Sequence, residues 1–402
     1  MVCGNEAMVT LAQALYMLGI FIGASASGIV SDKFGRKKTI IFFSTVMSVF
    51  SIAVAFSNSM ITFILLRMVL ALSSVGFWTT FYVYAMEIVG GRWKTIFGIG
   101  FQFPWAFAYS ILPGIAYAER DWRNLQLIIS VPPVIFLIFY YFIPESPRWL
   151  ITQKRFKEAE DIIRKAAKTN HGTEPEDIKI EEDCKDEDKG SGGNIFDLFK
   201  TPNLRKNTLI SYFNWFSASF VYYALTFDSG TLIPGDVYVN AAVAGLIEFP
   251  AYAISIVLLH YLGRRGPLSF MYYLLSVSLF LSLAMPTAVG VLAMATIGKF
   301  GAVCAFAIIY VQAVEIFPTV VRNSGIGSSS SMARVGSVLA PIIGRELGKH
   351  NRDLVIVIFS VVALIAGSLT LFMPETLGKT LPDTIEEGDY FGVCTILDSS
   401  SE

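Results

Sequence analysis

The chain has little charge, cysteine or histidine for its length. Only 16% of its 402 residues are Asp, Glu, Lys or Arg, and the formal net charge is −1. That balance argues against a nucleic-acid partner, because nucleic-acid-binding proteins carry basic patches. The four cysteines are Cys3, Cys184, Cys304 and Cys394; no two are obviously placed for a disulfide, and the three histidines lack metal-ligand spacing. The sequence therefore predicts neither a metal site nor a cofactor.

The sequence also lacks the phosphate-binding loop of ATP-driven pumps. The nearest candidate, Gly298-Lys299, has Ala293 in the place of the first glycine of that loop and Phe300 in the place of its Ser or Thr. No nucleophile–base pair or metal constellation indicates an enzyme. These absences argue against ATP-driven transport and against an enzymatic function.

Long apolar runs, in contrast, are abundant. The chain is 54% hydrophobic, its mean hydropathy is +0.57, and a membrane-spanning helix needs about 20 apolar residues. The pattern predicts an all-α polytopic membrane protein whose eleven spans cover about 7–31, 39–57, 61–86, 95–118, 125–143, 207–228, 239–261, 267–286, 288–314, 324–347 and 354–373.

Three charged loop motifs occur twice, and each copy follows an apolar run. The pairs, separated by 228 to 230 residues, are Gly35-Arg36-Lys37 with Gly263-Arg264-Arg265, Glu87 with Glu315, and Pro144-Glu145-Ser146 with Pro374-Glu375-Thr376. Such spacing is typical of two helix bundles repeated in the same orientation, with a solute site between them. It predicts an N-terminal bundle over 1–143, an interbundle loop over 144–206, a C-terminal bundle over 207–373 and a tail over 374–402.

The distribution of Lys and Arg orients the spans. The basic loops are expected in the cytosol together with the C-terminal tail. Residues 154–168 predict a basic amphipathic helix along the inner membrane face, and residues 174–193 an acidic, flexible linker. The span 207–228 has no partner in the first half. One helix is thus expected to be missing, either because upstream sequence is absent or because this is a true short form.

The motifs together resemble those of the major facilitator superfamily, and more narrowly the organic cation, anion and zwitterion transporters of solute carrier family 22. The strings that carry the resemblance are Gly28-Ile-Val-Ser-Asp-Lys-Phe-Gly-Arg-Lys37, Pro144-Glu-Ser-Pro-Arg-Trp-Leu150, Asn214-Trp-Phe216, Glu248-Phe-Pro250, Glu315-Ile-Phe-Pro-Thr-Val-Val-Arg-Asn323 and Pro374-Glu-Thr-Leu-Gly378. The resemblance implies a major facilitator fold with 11 of the usual 12 transmembrane helices, in a multi-pass protein of the plasma membrane.

Opposed charges at the cytosolic helix ends are candidates for a gate. Several weak ion pairs together can bias an equilibrium between inward-facing and outward-facing states, although the same charges could simply enforce topology. His260 stands where the first repeat has Asp32, which predicts a weaker or pH-sensitive second cluster. The candidate gating residues are Asp32 near Arg36, Glu87 with Arg92, Glu145 with Arg148, and Glu315 with Arg322.

Charged residues inside the spans are candidates for substrate contacts, because a charge in the bilayer is costly. Arg334 lies among small residues, and its guanidinium could bind a carboxylate in a bidentate manner. The resemblance supports that role, since anion and zwitterion carriers tend to have arginine there and cation carriers an acidic residue. Lys299 is a possible second anion contact or a packing group; Glu248 could receive a substrate cation or pair with Lys or Arg. Arg67 is interpreted as structural.

Aromatic side chains would bind the body of the substrate by stacking and by cation–π attraction. The resemblance places substrate contacts at Trp78, Gln102, Trp105, Trp215 and Tyr222, and Tyr82 shares a helix face with Trp78. The alternative is that these rings anchor helices at the membrane interface.

The sequence therefore predicts a carrier of medium-sized organic ions that works by alternating access. Arg334 favours anions or carboxylate-bearing zwitterions as substrates. The alternatives are an organic cation transporter, or a truncated form that is inactive or regulatory in transport. The expected partners are a small organic ion and the lipid bilayer; neither energy coupling nor oligomeric state can be read from the residues.

Overall fold

The computed structural model describes residues 6–89, 97, 100–138, 142–171, 195–227, 235–318, 320–348, 350–379, 382 and 384–390. Every regular element in these ranges is a helix. Up to residue 171 the helices are α1 (Glu6–Phe34), α2 (Arg36–Ala55), α3 (Met60–Ile88), α4 (Phe103–Ala118), α5 (Trp122–Phe136), α6 (Pro147–Thr152) and α7 (Phe156–His171).

The second half begins with a short 3-10 helix, Ile195–Phe199, and also contains a π-helix, Ile342–Leu347. Its α-helices are α8 (Pro202–Phe227), α9 (Val237–Leu246), α10 (Glu248–Tyr261), α11 (Arg265–Ala284), α12 (Ala288–Ile316), α13 (Arg322–Pro341), α14 (Arg352–Thr370) and α15 (Ile385–Tyr390).

Each of the eleven predicted spans contains a described helix. Seven helical stretches are long and apolar enough to cross a membrane, the α9–α10 stretch counting as one. The other four are α4, α5, α8 and α13; the first two are described over only 16 and 15 residues, and the other two carry more polar residues. The span predicted over 239–261 differs from expectation, because it is interrupted at Ile247.

The described contacts divide the chain into two compact units. The N unit comprises Met1–Phe101 and Ala118–Glu187, and the C unit comprises Gln102–Tyr117 and Asp188–Glu402. Helix α4, which the sequence interpretation assigned to the N-terminal bundle over 1–143, is therefore grouped with the second half of the chain.

The same packing pattern occurs in both units. In the N unit α3 packs against α1 and α2, and α2 against α5; in the C unit α12 packs against α10 and α11, and α11 against α14. Small residues permit the close approaches: a Cβ added at Gly19 would lie 2.5 Å from the carbonyl oxygen of Met68, and one at Gly301 would lie 2.8 Å from that of Met271. Close backbone approach at small residues is how membrane helices pack.

The charged motif requires its glycine for the same structural reason in both copies. Gly35 lies between α1 and α2 with φ 97°, and Gly263 lies between α10 and α11 with φ 83°. A Cβ at Gly35 would lie 2.5 Å from a carboxylate oxygen of Glu145, and one at Gly263 would lie 2.7 Å from the carboxyl carbon of Glu375. Only glycine combines a left-handed backbone with this close approach of a carboxylate.

Two shorter helices lie outside the predicted spans in the N unit. The helix predicted over 154–168 is present as α7, which packs on α6 through a buried cluster of Trp149, Leu150 and Ala159. The linker predicted over 174–193 lies outside the described residues.

The tail helix α15 docks inside the C unit. The Asp389 carboxylate accepts hydrogen bonds from the backbone N–H groups of Asn203 at 2.8 Å and Leu204 at 3.4 Å. Helix N-termini leave such donors without intrahelical partners, so Asp389 supplies an N-terminal cap for α8 from the other end of the unit. Gly388 lies so close to Pro318 that a Cβ there would approach the proline ring to 2.3 Å.

Candidate functional site

A buried carboxylate lies at the interruption between α9 and α10. Glu248 is the first residue of α10, two residues before Pro250, and is 0% exposed. A proline in the first turn of a helix lacks the N–H that would continue the preceding helix, which accounts for a break at this point. The interruption places an acidic side chain within an otherwise apolar span.

Three side chains surround the Glu248 carboxylate. The Tyr222 hydroxyl of α8 donates to Oε1 at 2.8 Å, and the Tyr252 hydroxyl, one turn further along α10, donates to Oε2 at 3.4 Å. The Lys299 Nζ of α12 lies 3.5 Å from Oε1. A charge removed from water requires such partners, so the cluster satisfies a carboxylate that would otherwise be strongly unfavourable in the interior.

The positive charge of Lys299 lies between the Glu248 carboxylate and two tyrosine rings. Its side chain is 2% exposed, and its Nζ also donates to the Thr226 hydroxyl of α8. The Nζ lies 3.8 Å from the centre of the Tyr222 ring and 5.2 Å from that of Tyr109 in α4. Both distances lie within the range of cation–π attraction.

Trp105 links this buried cluster to an accessible surface. Its indole Nε1 donates to the Tyr222 hydroxyl at 3.0 Å, and that hydroxyl in turn donates to Glu248. Trp105 itself is 43% exposed. A hydrogen-bonded chain therefore leads from an exposed aromatic ring to the buried carboxylate, within the C unit.

An aromatic layer extends from the cluster along α8 and α12. The Trp215 ring lies 4.4 Å from Tyr310 and 6.3 Å from Phe306, and Phe306 lies 5.9 Å from Tyr222. Trp215 is 1% exposed, and its Nε1 is buried without a hydrogen-bond partner in the described part of the chain. The structure thus brings together Trp105, Trp215, Tyr222, Glu248 and Lys299 among the predicted substrate residues.

Arg334 stands apart from this cluster. It is half-buried on α13, its Nε is buried without a hydrogen-bond partner, and its guanidinium forms no hydrogen bond or ion pair with the described residues. Gly336, two residues on, packs against the backbone of α8 at Phe216. No acidic side chain of the described ranges therefore neutralises the Arg334 guanidinium, and α13 packs closely on α8, the helix that carries Trp215.

The remaining predicted substrate residues lie elsewhere. In the N unit, Trp78 and Tyr82 of α3 both contact Phe101. The ring centre of Trp78 lies 4.3 Å from that of Phe101, and the ring centre of Tyr82 lies 5.2 Å from it. Gln102 precedes α4 in the C unit, where its carbonyl accepts the N–H of Ala106. The Arg67 guanidinium lies 5.1 Å from the centre of the Tyr16 ring.

In the N unit the charged motif forms a connected cluster. The Arg36 guanidinium donates to Glu87 at 2.8 Å and to Asp32 at 2.7 Å. Glu87 also accepts from the Ser146 hydroxyl at 2.5 Å. Glu145 accepts from the backbone N–H groups of Arg36, Lys37 and Ser146, with no ion pair to the exposed Arg148 among the described residues.

The second copy in the C unit repeats this geometry. Arg264 donates to Glu315 at 2.8 Å, Glu315 accepts from the Thr376 hydroxyl at 2.5 Å, and Glu375 accepts from the backbone of Arg264 and Arg265. His260 is exposed and lies against Tyr261, so Arg264 lacks the counterpart of Asp32.

The acidic partners therefore differ from those expected from sequence proximity. Glu315 was expected to oppose Arg322, but Arg322 donates through Nε to the carbonyl of Phe317. Glu87 was expected to oppose Arg92, which lies outside the described residues.

Three contributors to the site were missed in the sequence. Thr226 contacts Lys299, Tyr252 contacts Glu248, and the ring of Tyr109 faces the Lys299 ammonium. Thr226 follows Tyr222 by four residues and Tyr252 follows Glu248 by four, so helical spacing could have indicated both. Nothing in the spacing indicates Tyr109, which lies in a distant part of the sequence.

Comparison with known proteins decides the family. The model of the family described as "Sugar (and other) transporter" matches residues 4–387. The chain belongs to this transporter family. It is therefore a polytopic membrane transporter and not an enzyme.

Curated relatives within the family are more informative than the family name. The chain is 36% identical to the organic cation transporter protein of Drosophila melanogaster, over 98% of this chain and 73% of the relative. It is 38% identical to human organic cation/carnitine transporter 2, over 96% of this chain and 70% of the relative. It is 35% identical to rat solute carrier family 22 member 3, over 98% of this chain and 71% of the relative. These matches confirm the resemblance to solute carrier family 22.

Solved transporter structures have the same fold as this chain. The major facilitator superfamily proton:xylose symporter XylE, bound to a bromodeoxyglucose, aligns with a TM-score of 0.66 at 17% identity, over 94% of this chain and 89% of that one. An inward-open structure of XylE from E. coli aligns with a TM-score of 0.68 at 16% identity, over 96% of this chain and 90% of that one. The predicted all-α major facilitator fold is confirmed.

Proposed function

We propose that this transporter carries organic cations, including zwitterions that combine an ammonium with a carboxylate, across the plasma membrane by alternating access. The observation that carries the proposal is the buried Glu248 carboxylate, which accepts hydrogen bonds from the hydroxyls of Tyr222 and Tyr252 and is linked through Tyr222 to the exposed Trp105. The ammonium of Lys299 lies 3.5 Å from this carboxylate and 3.8 Å from the centre of the Tyr222 ring, so the site already holds one cationic group. A carboxylate beside aromatic faces is the chemistry that binds an organic ammonium.

Arg334 supports the zwitterion part of the proposal. Its guanidinium is free of internal acidic partners among the described residues, so it can bind a substrate carboxylate in a bidentate manner. The names of the relatives, which refer to organic cations and to carnitine, favour the cation alternative over the anion preference expected from Arg334 alone. A substrate with both charges would use Glu248 and Arg334 together.

The proposal is tested by uptake of three labelled probes into cells with the chain verified at the surface. The probes are tetraethylammonium, carnitine and benzoate, which represent a cation, a zwitterion and an aromatic monocarboxylate. We expect uptake of tetraethylammonium and carnitine. Uptake of benzoate alone would replace the proposal with an anion carrier.

A variant separates the role of Arg334 from that of the rest of the site. Arg334→Ala is expected to lower carnitine uptake about tenfold or more, the effect of losing at least ~1.4 kcal/mol of binding, while tetraethylammonium uptake is retained. Arg164→Ala, on the exposed surface of α7, is the matched control. Equal loss of both substrates in Arg334→Ala would make the arginine a structural group.

Alternating access would draw on the two charged clusters, each of which joins helix ends within its own unit. The second cluster lacks a counterpart of Asp32 because His260 occupies that position. His260→Asp is expected to shift the balance between inward-facing and outward-facing states by supplying Arg264 with a second carboxylate. Unchanged reactivity of introduced cysteines from either side of the membrane would contradict a gating role.

A further inference from the structure

Arg67 is a positive group inside a membrane span, in the N unit, and it takes no part in the site around Glu248. It lies seven residues into α3, a helix long and apolar enough to cross a membrane. About 10 Å therefore separates it from the start of that helix. A charged side chain at such a depth is costly, so it needs a partner or has a functional role.

Two aromatic rings border the Arg67 guanidinium. Its central carbon lies 5.1 Å from the centre of the Tyr16 ring of α1 and 5.6 Å from that of Phe63, one turn earlier in α3. Phe63 in turn contacts Trp122 of α5 edge-on, with ring centres 5.8 Å apart. Three helices of the N unit thus contribute an aromatic wall beside the guanidinium.

The rings stabilise the charge of Arg67 but leave its hydrogen bonds unmade. A guanidinium has five N–H donors, whereas a ring face supplies no strong acceptor. The Arg67 side chain is half-buried and forms no hydrogen bond or ion pair with the residues that the structure describes. Its nitrogens are also not among the enclosed polar atoms of the described ranges. An acceptor that is not part of these helices can therefore reach them.

The acidic side chains of the surrounding helices are engaged elsewhere or absent. Asp32 of α1 and Glu87 of α3 both bind Arg36, and neither α2 nor α5 contains an acidic residue. No described carboxylate side chain pairs with Arg67. A planar guanidinium with a free edge matches a carboxylate, which accepts two parallel N–H bonds from it.

A second unpaired polar group lies one turn before Tyr16. The side-chain oxygen of Gln13 is buried without a hydrogen-bond partner in the described part of the chain. Residues three apart share a helix face, so Gln13 lies beside the ring that contacts Arg67. An occupant of this place would accept hydrogen bonds from Arg67 and donate one to Gln13.

We propose that Arg67 and Gln13 form a further binding site for a monovalent organic carboxylate that also carries a hydroxyl or N–H donor. Arg67 binds the carboxylate, Gln13 accepts the hydroxyl or N–H, and the rings of Tyr16 and Phe63 border the carbon skeleton. The site shares no residue with the proposed contacts for organic cations and does not depend on the proposed function.

The experiment measures thermal unfolding of the purified full chain in detergent at constant ionic strength. Every protein carries Arg334→Ala, so that the other candidate carboxylate contact is removed. The probes are 3-hydroxybutyrate, butyrate and chloride, with the strongly hydrated fluoride as the reference anion. A ligand of the native state raises the melting temperature as its concentration rises. We expect both carboxylates to do so, and 3-hydroxybutyrate to bind about two- to tenfold more tightly than butyrate, the effect of one net hydrogen bond.

Three further substitutions and a control sharpen the test. Arg67→Gln is expected to abolish the response to both carboxylates. Arg67→Lys keeps the charge beside the two rings but binds as a point charge, so it should weaken butyrate binding about fivefold or more; it carries the test if Arg67→Gln does not fold. Gln13→Leu should make the two carboxylates equivalent while the response to butyrate persists. Arg164→Ala, on the exposed surface of α7, is the matched control and should change nothing.

The outcomes decide both the site and its ligand. No response to carboxylates, or an undiminished response in the Arg67 variants, would overturn the site. An equal response to chloride and butyrate would overturn the organic ligand in favour of a halide. A Gln13→Leu chain that still prefers 3-hydroxybutyrate would overturn the role of Gln13. Failure of tetraethylammonium and carnitine uptake, which would contradict the proposed function, has no bearing on this measurement.

Discussion

Arg36 and Glu87 form an ion pair with nitrogen and oxygen 2.8 Å apart, and Arg264 and Glu315 form the same pair at the same distance. In each copy the partners are 51 residues apart in sequence. In each copy a hydroxyl, from Ser146 or Thr376, binds the second carboxylate oxygen. The duplicated motif thus encodes a duplicated three-residue contact that ties three separate chain segments together.

The first prediction concerns the strength of these pairs. Arg264→Ala is expected to lower the free energy of unfolding by about 1–3 kcal/mol, because it removes charge-assisted hydrogen bonds from a carboxylate that is only 17% exposed. Thermal unfolding in detergent measures the loss. The control is Arg155→Ala, whose partner Glu158 is 56% exposed and whose pair should contribute at most about 1 kcal/mol. Equal effects of the two variants would contradict the prediction.

The second prediction concerns pH and Glu375. Burial alone would raise the pKa of Glu375, but the backbone N–H groups of Arg264, Leu377, Thr376 and Arg265 outweigh burial and lower it. A lowered pKa in the folded state contributes stability above the unfolded pKa of about 4.3, and that contribution is lost as the pH falls through the folded pKa.

Glu375→Gln should therefore remove part of the stability of the wild-type chain near neutral pH. The difference in melting temperature between the two proteins should shrink as the solution is acidified below about pH 4, the ordinary range of glutamate. A constant difference across this range would show that the carboxylate charge is irrelevant. Glu158→Gln, at an exposed position on α7, is the control.

The third prediction concerns the contact of α9 with α4 in the C unit. A Cβ at Gly245 would lie 2.8 Å from the backbone nitrogen and Cα of Ser110. Gly245→Ala is therefore expected to cost about 1–3 kcal/mol through overpacking, read as a lower melting temperature and reduced uptake. Gly114→Ala, in α4 with open space at the Cβ position, should be neutral or stabilising. Destabilisation by both variants would indicate an effect on backbone flexibility instead.

The fourth prediction concerns the buried pair of Glu248 and Lys299. Glu248→Gln alone is expected to destabilise the chain by about 3–5 kcal/mol, because it leaves a buried lysine without its acidic partner. Adding Lys299→Met removes the second charge and should restore much of that loss. Additive effects of the two substitutions, measured by thermal unfolding, would mean that the two side chains do not interact.

The sequence predicts the helices well because membrane spans depend on local apolarity. Runs of about 20 apolar residues need no tertiary information to be recognised, and the repeated motifs identify the corresponding ends of the two halves. The glycines at 35 and 263 were visible as repeats, although their positive φ and the nearby carboxylates appear only in the structure.

Pairing and interruption depend on tertiary contacts and were harder to predict. The run over 239–261 is predominantly apolar, and Glu248 is its one acidic residue, so hydropathy does not reveal the break at Ile247. Pro250 was the available signal. Glu315 pairs with Arg264, whereas Arg322, which is nearer to it in sequence, donates to the carbonyl of Phe317. The grouping of α4 with the C unit likewise follows from contacts between distant segments, including the one between Trp105 and Tyr222.

The cap that Asp389 places on α8 has a practical consequence for expression. A fluorescent protein joined after Glu402 leaves Asp389 free to accept the N–H groups of Asn203 and Leu204. A truncation at Leu377, just after the Pro374-Glu375-Thr376 motif, deletes the acceptor and leaves the first turn of α8 uncapped. Because α8 also carries Trp215 and Tyr222, trimming the tail to improve crystallisation would loosen the helix that presents both rings.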